Sequence, residues 1–177
     1  MSTLKVNNIE SFTGANPVTI NDELQISGST ATGLKSFSHG QTTIASGINT
    51  HAEGLSTKAS GSYSHAEGRQ TLSIGQASHA QGYLTTSSGN FSFAAGQNTE
   101  AHKLAQAVFG VYNKEFSQPY AFVIGNGANA FQRKNLAVFA TASISFDTGS
   151  IPTSSLGLST GQLYRTGSSL DEIKIKL

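Results

Sequence analysis

A 14-residue period runs through the middle of this 177-residue chain and constrains its fold more than any other feature. His51, His65 and His79 stand 14 residues apart, and Phe37 and Phe93 extend their column in both directions. Gly33, Gly47, Gly61, Gly75 and Gly89 keep the same step, as do Gly40, Gly54, Gly68, Gly82 and Gly96. Thr43, Thr57, Thr71, Thr85 and Thr99 form a fourth column in phase with the others. The unit reads G-x-x-S-H-A-E-G-x-x-T-x-A-S. Its two glycines lie seven residues apart and divide it into two strand-length arms, such as SHAE and TKAS. A tight turn follows each arm, and we expect both glycines to supply the positive φ of those turns. Each unit is then one coil of a flattened parallel β-roll, with coils stacked about 4.8 Å apart. Five such coils span residues 33–101.

Alternation fixes which side chains share a face, because residues two apart in a strand point the same way. His65 and Glu67 go together and Ala66 points opposite. Ala52, Ala66, Ala80 and Ala94 on one arm, with Ala45, Ala59, Ser73 and Ser87 on the other, are expected to line the interior of the roll. So small an interior buries too little apolar area to offset the entropy of ordering the chain. Self-association of parallel coils around a rotation axis supplies what the single roll lacks.

The SHAEG-type unit, from Gly33 to Ala101, resembles the head repeat of trimeric autotransporter adhesins, a left-handed parallel β-roll stable as an intertwined homotrimer. It is more similar still to the repeats of phage and phage-like tail or head fibre proteins, in which AHKLAQAVFGVYN, AFVIGNG and RKNLAVF follow in the same order. STLKVNNIESFTG and GLSTGQLYRTGSSLDEIKIKL resemble the ends of phage fibre chains more weakly. By elimination, and by analogy with the apolar pair at the matching positions of adhesin heads, His and Glu are expected to face a threefold axis. Read along the chain, that column is Phe37 and His39, His51 and Glu53, His65 and Glu67, His79 and Gln81, then Phe93 and Ala95. Three chains would stack polar rings between two aromatic plugs. Such a ladder fixes register, since a slip of one coil sets His79 and Gln81 against Phe93 and Ala95. A second possibility is an ion on the axis, held by symmetry-related copies of His51, His65 or His79.

Composition narrows the function. The formal charge is +1, only 12% of residues are charged, and no basic run is longer than Arg133-Lys134, which argues against nucleic acid as a partner. Without cysteine there is neither a disulfide framework nor a thiolate metal site. No stretch approaches the 18 or more apolar residues of a membrane helix. MSTLKVNNIESFTG lacks the apolar core of a secretory leader, so assembly in a host cytoplasm is expected, with no membrane insertion. Gly157-Leu158-Ser159-Thr160-Gly161 matches a nucleophile elbow in letters alone, because the last histidine, His102, lies upstream of it. Gly125-Asn126-Gly127 reads as a hairpin turn between AFVI and FQRKNLAVF. No enzymatic activity and no cofactor are expected.

The remaining segments flank the roll. Residues 1–32 carry Leu4, Val6, Ile9, Val18, Ile20, Leu24 and Ile26 at strand-like spacing and read as an attachment or cap segment. Residues 102–150 read as a β-rich distal domain with Phe109, Tyr112, Phe122, Val123, Ile124, Val138, Phe139, Ile144 and Phe146 as core candidates. Residues 151–177 read as an extended tail ending in the strand-like LDEIKIKL. The whole is expected to be a fibre or spike protein of a phage-like virion. One end would dock on other virion proteins and the other would meet a host glycan or protein, with three copies gaining avidity. Tyr112, Tyr120, Asn126, Asn129, Arg133 and Tyr164 are the candidate receptor contacts. A decoration, collar or connector fibre without receptor binding is the alternative, and a cell-surface adhesin a more distant one.

Overall fold

The computed structural model describes the side chains of residues 28–146, and the backbone also at 25–26, 163–165 and 173–175. Among these residues the chain is all-β, without a helix, and winds into a β-solenoid of about 7 turns. The HAEG arm of each repeat supplies one five-residue strand of a long sheet. These strands are β3 (Phe37–Gln41), β5 (His51–Leu55), β7 (His65–Arg69), β9 (His79–Tyr83), β11 (Phe93–Gln97), β13 (Ala107–Val111) and β14 (Phe122–Asn126). They pair in parallel, each with the next, and β1 (Gln25–Ile26) adds to the first of them. The other arm supplies two-residue strands of a second parallel sheet: β2 (Thr30–Ala31), β4 (Ile44–Ala45), β6 (Lys58–Ala59), β8 (Leu72–Ser73), β10 (Thr86–Ser87) and β12 (Glu100–Ala101).

Register follows the 14-residue columns: His51 pairs with His65, Ala52 with Ala66, Glu53 with Glu67 and Gly54 with Gly68. The alanines and serines expected inside are inside. Ala45, Ala52, Ala59, Ala66, Ala80, Ala94, Ser73 and Ser87 are all 0% exposed. The threonine column Thr43, Thr57, Thr71, Thr85 and Thr99 is buried beside them. Corner hydroxyls close the turns: Ser78 Oγ donates to the Gly75 carbonyl at 2.7 Å and Ser92 Oγ to that of Gly89 at 2.6 Å.

The two glycine columns do different work, and only one has the positive φ the sequence suggested. Left-handed φ at the corners belongs to other residues, such as Lys35, Asn49 and Tyr63 on one side and Thr42, Ser56 and Gln70 on the other. From Asn49 onward each corner is held by a backbone hydrogen bond to the coil before it, as from Ser56 N to Gln41 O at 2.8 Å, so the strain is offset by stacking rather than by residue choice. Gly54 and its equivalents do have positive φ, but within the long strand (φ +107° at Gly54). Gly61 and its equivalents lack that conformation; a Cβ there would collide with the carbonyl oxygens of Ile74 and Gly75 in the next coil. Close approach of backbone to backbone is what requires them.

The change of character near residue 102 has a structural counterpart. The short sheet stops at Ala101, whereas the long sheet runs on through β13 and β14 without a break. It is then completed by two antiparallel strands, β15 (Asn135–Ala140) and β16 (Ser143–Phe146). The interior widens here from alanine to valine, with Val108, Val123 and Val138 clustered with Ala94, Ala101 and Ala121. Gly125 and Asn126 belong to β14, so the reversal expected at Gly125–Gly127 is longer and takes residues 127–134. Asn129 Oδ1 accepts hydrogen bonds there from the backbone N–H of Phe131 and Gln132. Residues 1–24 lie outside the described residues, and with them most of the attachment segment. Within the tail, β17 (Leu163–Arg165) pairs antiparallel with β18 (Ile173–Ile175), so a strand and not a helix follows Gly161.

Candidate functional site

The outward face of the long sheet carries every His and Glu of the SHAEG repeats. Because the strands are parallel and in register, identical side chains stack directly over one another. The imidazoles of His51 and His65 lie 4.6 Å apart between ring centres, inclined by 11°, and those of His65 and His79 are also 4.6 Å apart. Phe37 stands 5.3 Å from His51 at one end and Phe93 stands 4.9 Å from His79 at the other. The column Phe37, His51, His65, His79, Phe93 is thus one continuous stack of rings.

A second column runs beside it through His39, Glu53, Glu67, Gln81 and Ala95. Glu53 Oε2 is 3.4 Å from His39 Nε2 and 3.8 Å from His51 Nε2, while Oε1 is 4.0 Å from His65 Nε2. Glu67 Oε1 reaches His79 Nε2 at 3.3 Å. A shallow groove of about 430 Å³ follows this second column, lined by His39, Glu53, Glu67, Gln81 and the glycines between them. Within one chain these groups are half-buried, with side-chain exposures of 37% for His51 and 32% for His65 and Glu53. The pKa values of His51 and His65 lie below the usual imidazole value. Partial burial is the largest cause, a stacked imidazole neighbour the next, and the glutamates oppose both. Neutral imidazoles can therefore stack here at close range.

The ring stack does not end at Phe93. Phe109 lies 5.2 Å from Phe93, Phe122 lies 5.4 Å from Phe109, and Phe139 and Phe146 continue the series at 5.9 and 6.3 Å. Four residues expected in a distal core are therefore on the outward face: Phe109, Phe122 and Phe139 are each 39% exposed and Phe146 is 37% exposed. Ile144, another core candidate, is 64% exposed, and Ile124 and Tyr112 are intermediate; of that set only Val123 and Val138 are buried. The reason is register, since Phe109 continues the Glu53 and Glu67 column whereas Val108 continues the alanine column. The missed signal is the glycine column, which Gly110 continues after 14 residues and Gly125 after 15.

The candidate receptor contacts are dispersed. Tyr120, Asn126 and Asn129 are exposed. Tyr112 is partly buried, with its hydroxyl accepting a hydrogen bond from Gln97 Nε2 at 3.2 Å. The side chain of Tyr164 lies outside the described residues. Arg133 is committed internally: it donates to the carbonyls of Asn98 and Asn113 and to Glu100 Oε1 at 2.5 Å. The other Glu100 oxygen lies 3.3 Å from His102 Nε2, and His102 Nδ1 is 2.6 Å from Ser88 Oγ. This network pins β12 to the loop before β15. Sequence reading missed it because its directly bonded partners lie up to 35 residues apart. No family model matches the chain, and no curated protein and no solved structure matches it.

Proposed function

We propose that the chain is a subunit of a homotrimeric fibre or spike of a phage or phage-like particle, serving attachment to a host surface. The observation that carries this reading is the outward face of the long sheet: one unbroken stack of half-exposed rings, polar in the middle and phenylalanine at both ends. A soluble monomer seldom leaves so long an apolar stripe open to water. The alanine-lined coils also gain little from their own interior. Three copies meeting through this face would cover the phenylalanines and let His and Glu satisfy one another across chains. Assignment to a phage particle rests on the SHAEG-type repeats and on the order of the segments that follow them. A rigid rod with three identical tips suits adhesion through avidity.

A purely structural connector is the second reading. One observation favours it: Arg133 and Tyr112, two of the polar residues nearest the expected tip, are engaged within the chain. Light scattering on the purified protein tests the assembly, with a mass three times the chain's 18.4 kDa expected. A monomer overturns it. Binding of labelled trimer to host cells, lost when host glycans are stripped, separates adhesion from a connector role.

A further inference from the structure

Glu53 is a meeting point of imidazoles. Three Nε2 atoms, those of His39, His51 and His65, stand within 4.0 Å of its carboxylate. A carboxylate only accepts hydrogen bonds, and a neutral imidazole brings one N–H and one bare lone pair. His51 Nε2 is buried and has no hydrogen-bond partner. Among the described residues no Lys or Arg pairs with Glu53. The cluster thus holds nitrogen lone pairs and a negative charge together, without a cation.

Two imidazoles and one carboxylate make a three-ligand set suited to zinc-like ions, with a fourth position left for water. In tetrahedral coordination with bonds of about 2.0–2.1 Å, ligand atoms stand about 3.4 Å apart. Glu53 Oε2 already lies 3.4 Å from His39 Nε2 and 3.8 Å from His51 Nε2, and one ligand atom from each of the three residues falls within 4.8 Å of the others. We propose that His39, His51 and Glu53 form a binding site for one zinc-type divalent ion per chain. Neighbouring groups fit less well. Glu53, His65 and Glu67 also converge but offer a single imidazole. His102 and Glu100 are adjacent, yet Arg133 already neutralises that carboxylate. All three ligands come from one chain and lie on the face proposed to meet the partner copies, so the light-scattering mass is recorded with and without Zn²⁺ and a failure of assembly is read apart from a failure of ion uptake.

The test uses the full chain, stripped with EDTA and dialysed, then titrated with Zn²⁺ against a chromophoric chelator. Stoichiometric uptake of one ion per chain is expected. His39→Gln and Glu53→Gln should each weaken it by about tenfold or more, while His79→Gln and His102→Gln leave it unchanged. Co²⁺ added to the unsubstituted protein should give the intense visible bands of a four-coordinate site, a readout that does not depend on any variant folding. Absence of stoichiometric binding, a six-coordinate Co²⁺ spectrum, or binding that survives His39→Gln but fails in His65→Gln overturns the proposal.

Discussion

At the scale of single residues, each coil is so thin that one hydroxyl or one methyl matters. Thr43 Oγ1 pairs with Ser38 Oγ at 2.8 Å, but in later coils alanine replaces that serine. Thr57, Thr71, Thr85 and Thr99 are therefore buried with hydroxyls that have no partner. An orphaned buried hydroxyl costs about 1–3 kcal/mol. Thr71→Val keeps the shape and removes the hydroxyl, so it should raise stability by roughly 1 kcal/mol, read as a higher denaturation midpoint. Ser78→Ala is the converse, since Ser78 Oγ bonds both the Gly75 carbonyl and Ser73 Oγ, and should lower stability by about 1 kcal/mol. Equal effects of the two would show that the hydroxyl inventory does not govern the interior. Gly54→Ala is more severe. It places a side chain at φ +107° and drives Cβ into the Gly68 carbonyl oxygen, so a loss of about 3 kcal/mol or more is expected in the same measurement.

At the scale of the element, the strand His-Ala-Glu-Gly was legible because alternation and period act together: Ala66 had to point away from His65 and Glu67, and the 14-residue step had to stack like on like. The corners were not legible. Their left-handed residues include Leu84, Phe91 and Ala105, which no turn rule selects, because stacked backbone hydrogen bonds and not local preference set that conformation. The histidine column carries a pH response. His51 faces His39, His65, Glu53 and Glu67, and His65 faces His79 with both glutamates. Their folded-state pKa values lie below the unfolded value of about 6.5, so below that pH the unfolded chain binds more protons. Stability is then full above about pH 6.5 and falls as pH drops from there toward the lowered folded values. Melting in EDTA from pH 8 to pH 5 should show this decline, and replacing His51 and His65 together by Gln should flatten it. An unchanged melting temperature across that range would show that these rings do not couple protonation to folding.

At the scale of the whole molecule, an inward side and an outward side separate what holds one chain together from what would hold three. Val108, Val123 and Val138 fill the widened interior of the chain itself, whereas Phe109, Phe122 and Phe139 point outward from the same strands. Residues 102–150 hid this division from sequence reading, since valine and phenylalanine alternate there as two apolar faces and periodicity alone does not say which is turned inward. The division permits a clean experiment on the proposed trimer. Phe122→Glu combined with Phe139→Glu removes two neighbouring rings, 5.9 Å apart, from the outward stack and leaves the valine cluster intact. Truncating a buried phenylalanine costs about 3–5 kcal/mol, and three copies of two added charges repel one another across a shared axis. The mass of the double variant in light scattering should therefore fall to that of one chain at micromolar concentration, and its β-sheet circular dichroism should melt at a lower temperature, because one roll alone buries little apolar area. A variant that remains fully associated would place the interface elsewhere on the solenoid, and the ring stack would then be a surface of the assembled rod open to other partners.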